Sequence, residues 1–302
     1  MSKFIVIHRK DANNVGDMAS NPLQYFLRKD EYDSVDILDL GKVPYRSDLP
    51  IIVGGGGLIE NTFMADQIIK LFSSSDKNTL SYLWSNRWES SNSSNKQLSE
   101  EFTKEYHALI KKYLDKLQIE KRNMFLWGAG HNGEIPKKEE IKYPDWLAEF
   151  NEVGIRDYGK GFTWAPCASC MHPALRKNYT IKNDVVWFEH KKQLVKDFGN
   201  ESIPRFINSG TNIDQTIELL GSANTILTNS YHGVYWGTLL KKKVILVGSW
   251  STKFLMMKHP PTILEKGENW RTAADRTTVY NTALDECIGA TESFWNKIRS
   301  KV

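Results

Sequence analysis

Nowhere along the 302 residues do eighteen apolar residues follow one another, which argues against a membrane-spanning helix. The opening segment, MSKFIVIHRK, carries too short an apolar run for a secretory signal, so residence in the cytoplasm is the expectation. Cysteine is scarce. Three residues, an odd number without framework spacing, predict reduced thiols and no disulfide. An excess of one charge is missing too: the formal net charge is +4, which points neither to a nucleic-acid binder nor to a solvating tail. The small basic excess suits an acidic ligand or an anionic membrane surface. No repeat of fixed period is visible, which sets aside solenoids and propellers.

What is present is an alternation of short apolar runs with helical or loop stretches, the pattern of a parallel sheet with covering helices. In the first half, strands are predicted at Lys3–His8, Val35–Leu38, Pro50–Val53, Asn123–Trp127 and Glu152–Ile155. Glu101–Leu117 has Phe102, Tyr106, Leu109, Tyr113 and Leu117 at helical spacing and predicts an amphipathic helix. Ser73 to Ser99, rich in Ser and Asn, reads as a loop or lid. A Gly, Pro and Cys punctuated segment, GKGFTWAPCASCMHP, then separates the halves, and the expected division is 1–160 against 161–302. In the second half, strands are predicted at Val185–Glu189, Arg205–Ile207, Thr225–Thr228 and Val244–Val247, with helices near Asp214–Leu220, Gly233–Leu240 and Thr291–Arg299. The expected fold is α/β, with two similar lobes and a ligand cleft between them.

The chemistry-bearing residues fall at strand ends. Gly54 to Gly57 follow an apolar strand, where glycine lets backbone N–H groups approach an anion, although a tight turn explains them equally well. Neither a Walker loop nor the dinucleotide fingerprint is present. Asn13-Asn14-Val15-Gly16-Asp17 is a second such junction, with Asp17 placed to cap a helix or to face a ligand. Gly128-Ala129-Gly130 is a third. Arg156, just beyond a strand, can bind a carboxylate or phosphate, or pair with Asp157. Asn229-Ser230-Tyr231-His232-Gly233 leads from a strand into a helix, and there the helix N-terminus lowers the pKa of His232, leaving it able to exchange a proton near neutral pH. Cys167-Ala168-Ser169-Cys170 with His172 has the look of a metal or redox motif, but four ligands are lacking; a buried segment with Ser169 facing the cleft is the better reading, and no metal is expected.

Taken in order, NNVGD (13–17), GGGGLI (54–59), WGAGHN (127–132), GIRD (154–157), APCASC (165–170) and TNSYHG followed by VYWGTLLKKKVI (228–245) resemble the polysaccharide pyruvyltransferase family. The resemblance implies two Rossmann-like lobes in a glycosyltransferase-B-like arrangement, phosphoenolpyruvate as donor, and a cyclic pyruvate ketal formed on a sugar with release of phosphate. It implies functional roles for His232 and Arg156, and no cofactor. On this reading His232 is the acid and Asp17 the base. Arg156, Lys243 and the loop residues Asn14, Gly16, Gly55, Gly56, Gly57, Gly130, Ser169, Ser230 and Tyr231 contact the substrates. A sugar or lipid-linked oligosaccharide is the expected acceptor, with peripheral membrane contact and no nucleic acid among the partners. Trp84, Trp88, Trp164, Trp250 and Trp270 are candidates to stack on a sugar ring. A glycosyltransferase using a nucleotide-sugar donor is the rival, since the same lobes serve both chemistries.

Overall fold

The computed structural model describes residues 3–10, 13–37, 49–59, 123–133, 141, 143, 147–148, 150–191, 203–210, 212–248 and 251–302. The helix expected over Glu101–Leu117, the Ser/Asn-rich stretch, and Trp84, Trp88 and Trp250 lie outside them.

Two wholly parallel sheets organise the chain. The first takes β1 (Phe4–His8), β2 (Tyr32–Asp36), β3 (Ile51–Gly54), β4 (Met124–Ala129), β5 (Glu152–Ile155) and β6 (Thr163–Trp164), in the order β2-β1-β3-β4-β5-β6. The second takes β7 (Asn183–Glu189), β8 (Arg205–Ile207), β9 (Ala223–Thr228), β10 (Lys243–Leu246) and β11 (Thr262–Ile263), in the order β11-β10-β9-β7-β8. Every residue of β1, β3 and β4 is buried, as expected of parallel strands covered on both faces, and this explains why they read as unbroken apolar runs. At the edge, β2 begins at Tyr32, three residues before the predicted start. Its Asp33 and Ser34 are polar and only half-buried, so no apolar run marked them.

The helices are α1 (Val15–Ala19), α2 (Ile213–Gly221), α3 (Tyr231–Leu239), α4 (Trp270–Asp275) and α5 (Ala283–Arg299). Asn14 caps α1 and Asn212 caps α2, each side chain accepting from amides of the first turn. All nine residues of α3 are buried, so this helix lies inside the molecule rather than on it. Among the described residues, no helix is long and apolar enough to cross a membrane.

The first sheet extends past residue 160 through β6, and α5 ties the two sheets together. This helix starts eight residues before the predicted Thr291. Its Ala283 and Cys287 pack in the core of the second sheet, while Phe294, Trp295 and Ile298 pack with Phe4, Val6, Ile52, Phe125 and Trp127 of the first. Glu152 at the start of β5 binds Lys297 and Lys301 at 2.5 Å each, which fixes the far end of the helix on the first sheet. Trp270, expected as a sugar platform, is buried in the core of the second sheet with Trp187, Leu227 and Ile245.

Candidate functional site

Each sheet has a point where its strand order reverses. The loops leaving β1 and β3 diverge, as do those leaving β7 and β9, and each divergence opens a crevice at the carboxyl ends of the strands. The two crevices face one another. Lys191, after β7, donates to the carbonyl of Asn13 at 2.8 Å, and the Gly210 amide donates to Asn13 Oδ1 at 2.6 Å.

With Asn14 Oδ1 accepting from the Gly16 and Asp17 amides (3.0 and 3.2 Å), the cap of α1 is filled and Asp17 is released from that duty. Its carboxylate takes no hydrogen bond from a described residue. Burial raises its pKa above the ordinary carboxylate value, against the opposing pull of Arg9, Lys191, Arg156 and Lys253.

His232, in the first turn of α3, comes across from the second sheet to lie against Gly16. Its Nε2 is 3.6 Å from Cys167 Sγ, and its ring packs on Trp236. Burial, then the charges of Arg156 and Lys253, push its pKa down to about 3. That corrects the expectation of a histidine titrating near neutrality: the imidazole is neutral at physiological pH.

Arg156 leaves β5 with its guanidinium carbon 3.9 Å from the centre of the Tyr231 ring. Gly130 makes room for it, since a Cβ there would collide with the Arg156 side chain. The alternative of a pair with Asp157 is not adopted. Asp157 accepts instead from the His131 amide and the Tyr143 hydroxyl, each at 2.7 Å, and Arg156 forms no ion pair with a described carboxylate. Its Nε is buried without a hydrogen-bond partner among the described residues. A buried guanidinium in this state is a standing anion site.

Lys253 completes the cluster, in a 3₁₀ turn at Thr252–Phe254 that follows β10. That turn is held by the first lobe: the Thr252 amide donates to the Gly133 carbonyl (3.1 Å), Thr252 Oγ1 meets His131 Nδ1 (2.7 Å), and Ser251 Oγ meets Asn132 Oδ1 (3.1 Å). Burial and then Arg156 bring its pKa down to about 7, with Asp17 opposing.

Several expected contacts are placed elsewhere. Lys243 is the first residue of β10, and in a parallel sheet that puts it at the amino edge, opposite the cleft. Ser169 is wholly buried, accepting from Trp236 Nε1 at 3.0 Å, because a 3₁₀ turn at Ala168–Met171 directs it inward; Cys167 stands between it and His232. Ser230 occupies the cap position of α3 and binds the Asn208 side chain. Gly55 and Gly56 have φ of 80° and 82°, so the loop does need glycine there. Yet the Gly55 amide donates to Trp127 and the Gly130 amide to Gly56, so with Gly16 three of the expected anion-binding amides are already engaged. Gly57 faces Asn132.

The cysteine segment does not converge on a centre: Cys167 faces His232, Cys170 faces Thr291 Oγ1 at 3.3 Å, and His172 accepts from the Ala174 amide. All three thiols are free and buried. Sequence reasoning missed Lys253 and the part of Cys167. The signal for the first was its position in a loop after a strand, SWSTKF, the same context that selected His232 and Arg156.

The assembled site brings together two buried basic side chains, Arg156 and Lys253, a neutral imidazole and a carboxyl group of raised pKa. It is suited to a small dianion whose reaction requires proton movement. Comparison with protein-family models gives no match, and no curated protein matches the chain.

Proposed function

We propose that the chain transfers the pyruvyl group of phosphoenolpyruvate to two hydroxyls of a sugar in a polysaccharide or glycan precursor, forming a cyclic ketal and releasing phosphate. The observation that carries this reading is the buried Arg156 guanidinium, in ion-pair contact with no described carboxylate, beside Lys253 at the meeting of two strand-end crevices. The two sheets are compatible with Rossmann-like lobes in a glycosyltransferase-B-like arrangement, and that arrangement is part of the proposal.

Ketal formation starts with a proton on the methylene carbon, which makes the neighbouring carbon electrophilic. A sugar hydroxyl adds there and loses its proton, phosphate leaves, and a second hydroxyl closes the ring. Arg156 and Lys253 hold the donor's phosphate and carboxylate. The donor's negative charge offsets both cations, so His232, neutral on its own, gains its proton as the donor arrives and then acts as acid. Asp17, with its raised pKa, accepts the proton of the incoming hydroxyl.

The test is equilibrium titration with phosphoenolpyruvate beside a phosphate-release assay over a panel of glycosides. His232→Ala should lose on the order of 10² to 10⁴ in rate with binding nearly intact, because a general acid acts only as the proton moves. Arg156→Ala should lose donor affinity itself. A protein that binds a nucleotide sugar and not phosphoenolpyruvate would replace this reading with glycosyl transfer.

A further inference from the structure

Behind His232 lies a line of polar groups that the proposed reaction does not use. Trp236 Nε1 is 3.0 Å from Ser169 Oγ, Ser169 Oγ is 3.2 Å from Cys167 Sγ, and Cys167 Sγ is 3.6 Å from His232 Nε2. The four side chains are 0 to 5% exposed, so water does not compete for these contacts.

We propose that Cys167 sets the tautomer of His232, keeping the ring proton on Nδ1, the edge turned toward Gly16 and the cleft. The direction follows from the first member. An indole N–H can only donate, so Ser169 Oγ accepts from Trp236 and has its own hydrogen left to give. Cys167 Sγ receives it, and the Ser169 amide is directed at the same sulfur. A sulfur accepting from both sides of Ser169 turns its S–H away from them, and His232 Nε2 is the acceptor in reach. Nε2 must then keep its lone pair, which leaves the single hydrogen of the neutral ring on Nδ1. The opposite arrangement, a thiolate beside an imidazolium, is disfavoured because burial drives the Cys167 thiol up and the imidazole down.

The inference deepens the function proposed above and rests on it for its catalytic meaning, since the imidazolium formed on donor binding would give up its Nδ1 hydrogen to the donor. Cys167 acts through His232 and is a positioning residue. Its substitution by alanine frees Nε2, whereas serine restores a hydrogen-bonding group of similar reach.

The experiment is a two-bond ¹⁵N–¹H correlation spectrum of the full chain labelled on histidine, with His232 assigned by its disappearance in His232→Gln. At neutral pH without ligand, Nδ1 should carry the proton. Cys167→Ala should move His232 toward the Nε2–H form, and Cys167→Ser should keep it on Nδ1. In phosphate release from phosphoenolpyruvate, Cys167→Ala should lower kcat about tenfold with KM little changed, as removal of an orienting partner does, and Cys167→Ser should recover most of it. An Nε2–H ring or an imidazolium in the wild-type spectrum overturns the proposal, and that spectrum decides even if Cys167→Ala fails to fold. The spectra are independent of turnover: the expected tautomer in a chain that does not use phosphoenolpyruvate would uphold the relay and sink the assigned reaction.

Discussion

Gly16 and His232 meet across the gap between the two sheets so closely that a Cβ on residue 16 would collide with Nδ1 of the imidazole. The ring is buried against Trp236 and cannot swing aside freely. Gly16→Ala should therefore displace His232 and cut turnover by roughly the loss seen on removing a general acid, about 10² or more. Gly289→Ala, in α5 with nothing near its Cβ position, is the control; it should leave activity intact and stabilise by about 0.4–1 kcal/mol. Turnover and thermal unfolding of the two variants check this.

Lys253 is a charge held where the fold does not favour it. Its pKa is about 7 in the folded chain against an ordinary value of 10.5, so the unfolded chain binds its proton more tightly. The cost to stability grows as pH falls from 10.5 to about 7 and is fully present below that. Lys253→Met should raise stability at neutral pH by about 1–3 kcal/mol, with the gain vanishing toward pH 10.5, while donor binding weakens. Urea unfolding at two pH values beside a phosphoenolpyruvate titration would separate the two effects.

His232 acts with the same sign at lower pH. Between its ordinary value of 6.5 and about 3 the unfolded chain takes the proton while the folded chain refuses it, so stability falls as pH drops through this window. His232→Gln should flatten that part of the stability curve. Because a bound anion offsets Arg156 and Lys253, binding of phosphoenolpyruvate near neutral pH should draw in a proton. Lys253, part-neutral at that pH, takes up protons as well, so calorimetry in buffers of different ionisation enthalpy measures the total uptake, and the parts missing in His232→Gln and in Lys253→Met assign each share.

The far end of α5 belongs to the core of the first sheet. Phe294, 1% exposed, packs its ring on Trp127 with centroids 5.6 Å apart, so Phe294→Ala should cost about 3–5 kcal/mol. Protection of β4 amides from hydrogen exchange should fall together with that of α5.

The central strands were legible because a parallel sheet buried on both faces writes itself as unbroken apolar runs, as FIVIH in β1 does, whereas β6 and β11, two residues each at sheet edges, carry no such run and were not predicted. Arg156 and His232 were picked out as residues close behind such runs, and Asp17 from the loop-to-helix junction that follows the first of them. Lys243 was misplaced because it stands beside an apolar run at its start, and a parallel sheet separates the two ends of a strand onto opposite edges. Lys253 and Cys167 were harder to see: what brings them to the site is the packing of loops from different lobes, which leaves no periodic trace. The first turns of α5 were missed for a simpler reason, since Ala283 and Cys287 are small and their neighbours acidic.

That the last helix completes the core of the first sheet has a consequence for how the protein is made. A ribosome that has released β1 to β6 has released an incomplete object, whose Trp127 has Phe26 beside it but lacks Phe294 and Trp295 until synthesis reaches the last helix. The first lobe cannot finish folding while the second is still being translated, and its apolar flank stands open for that whole interval. The species most exposed to aggregation is thus the nascent chain, before α5 covers that flank.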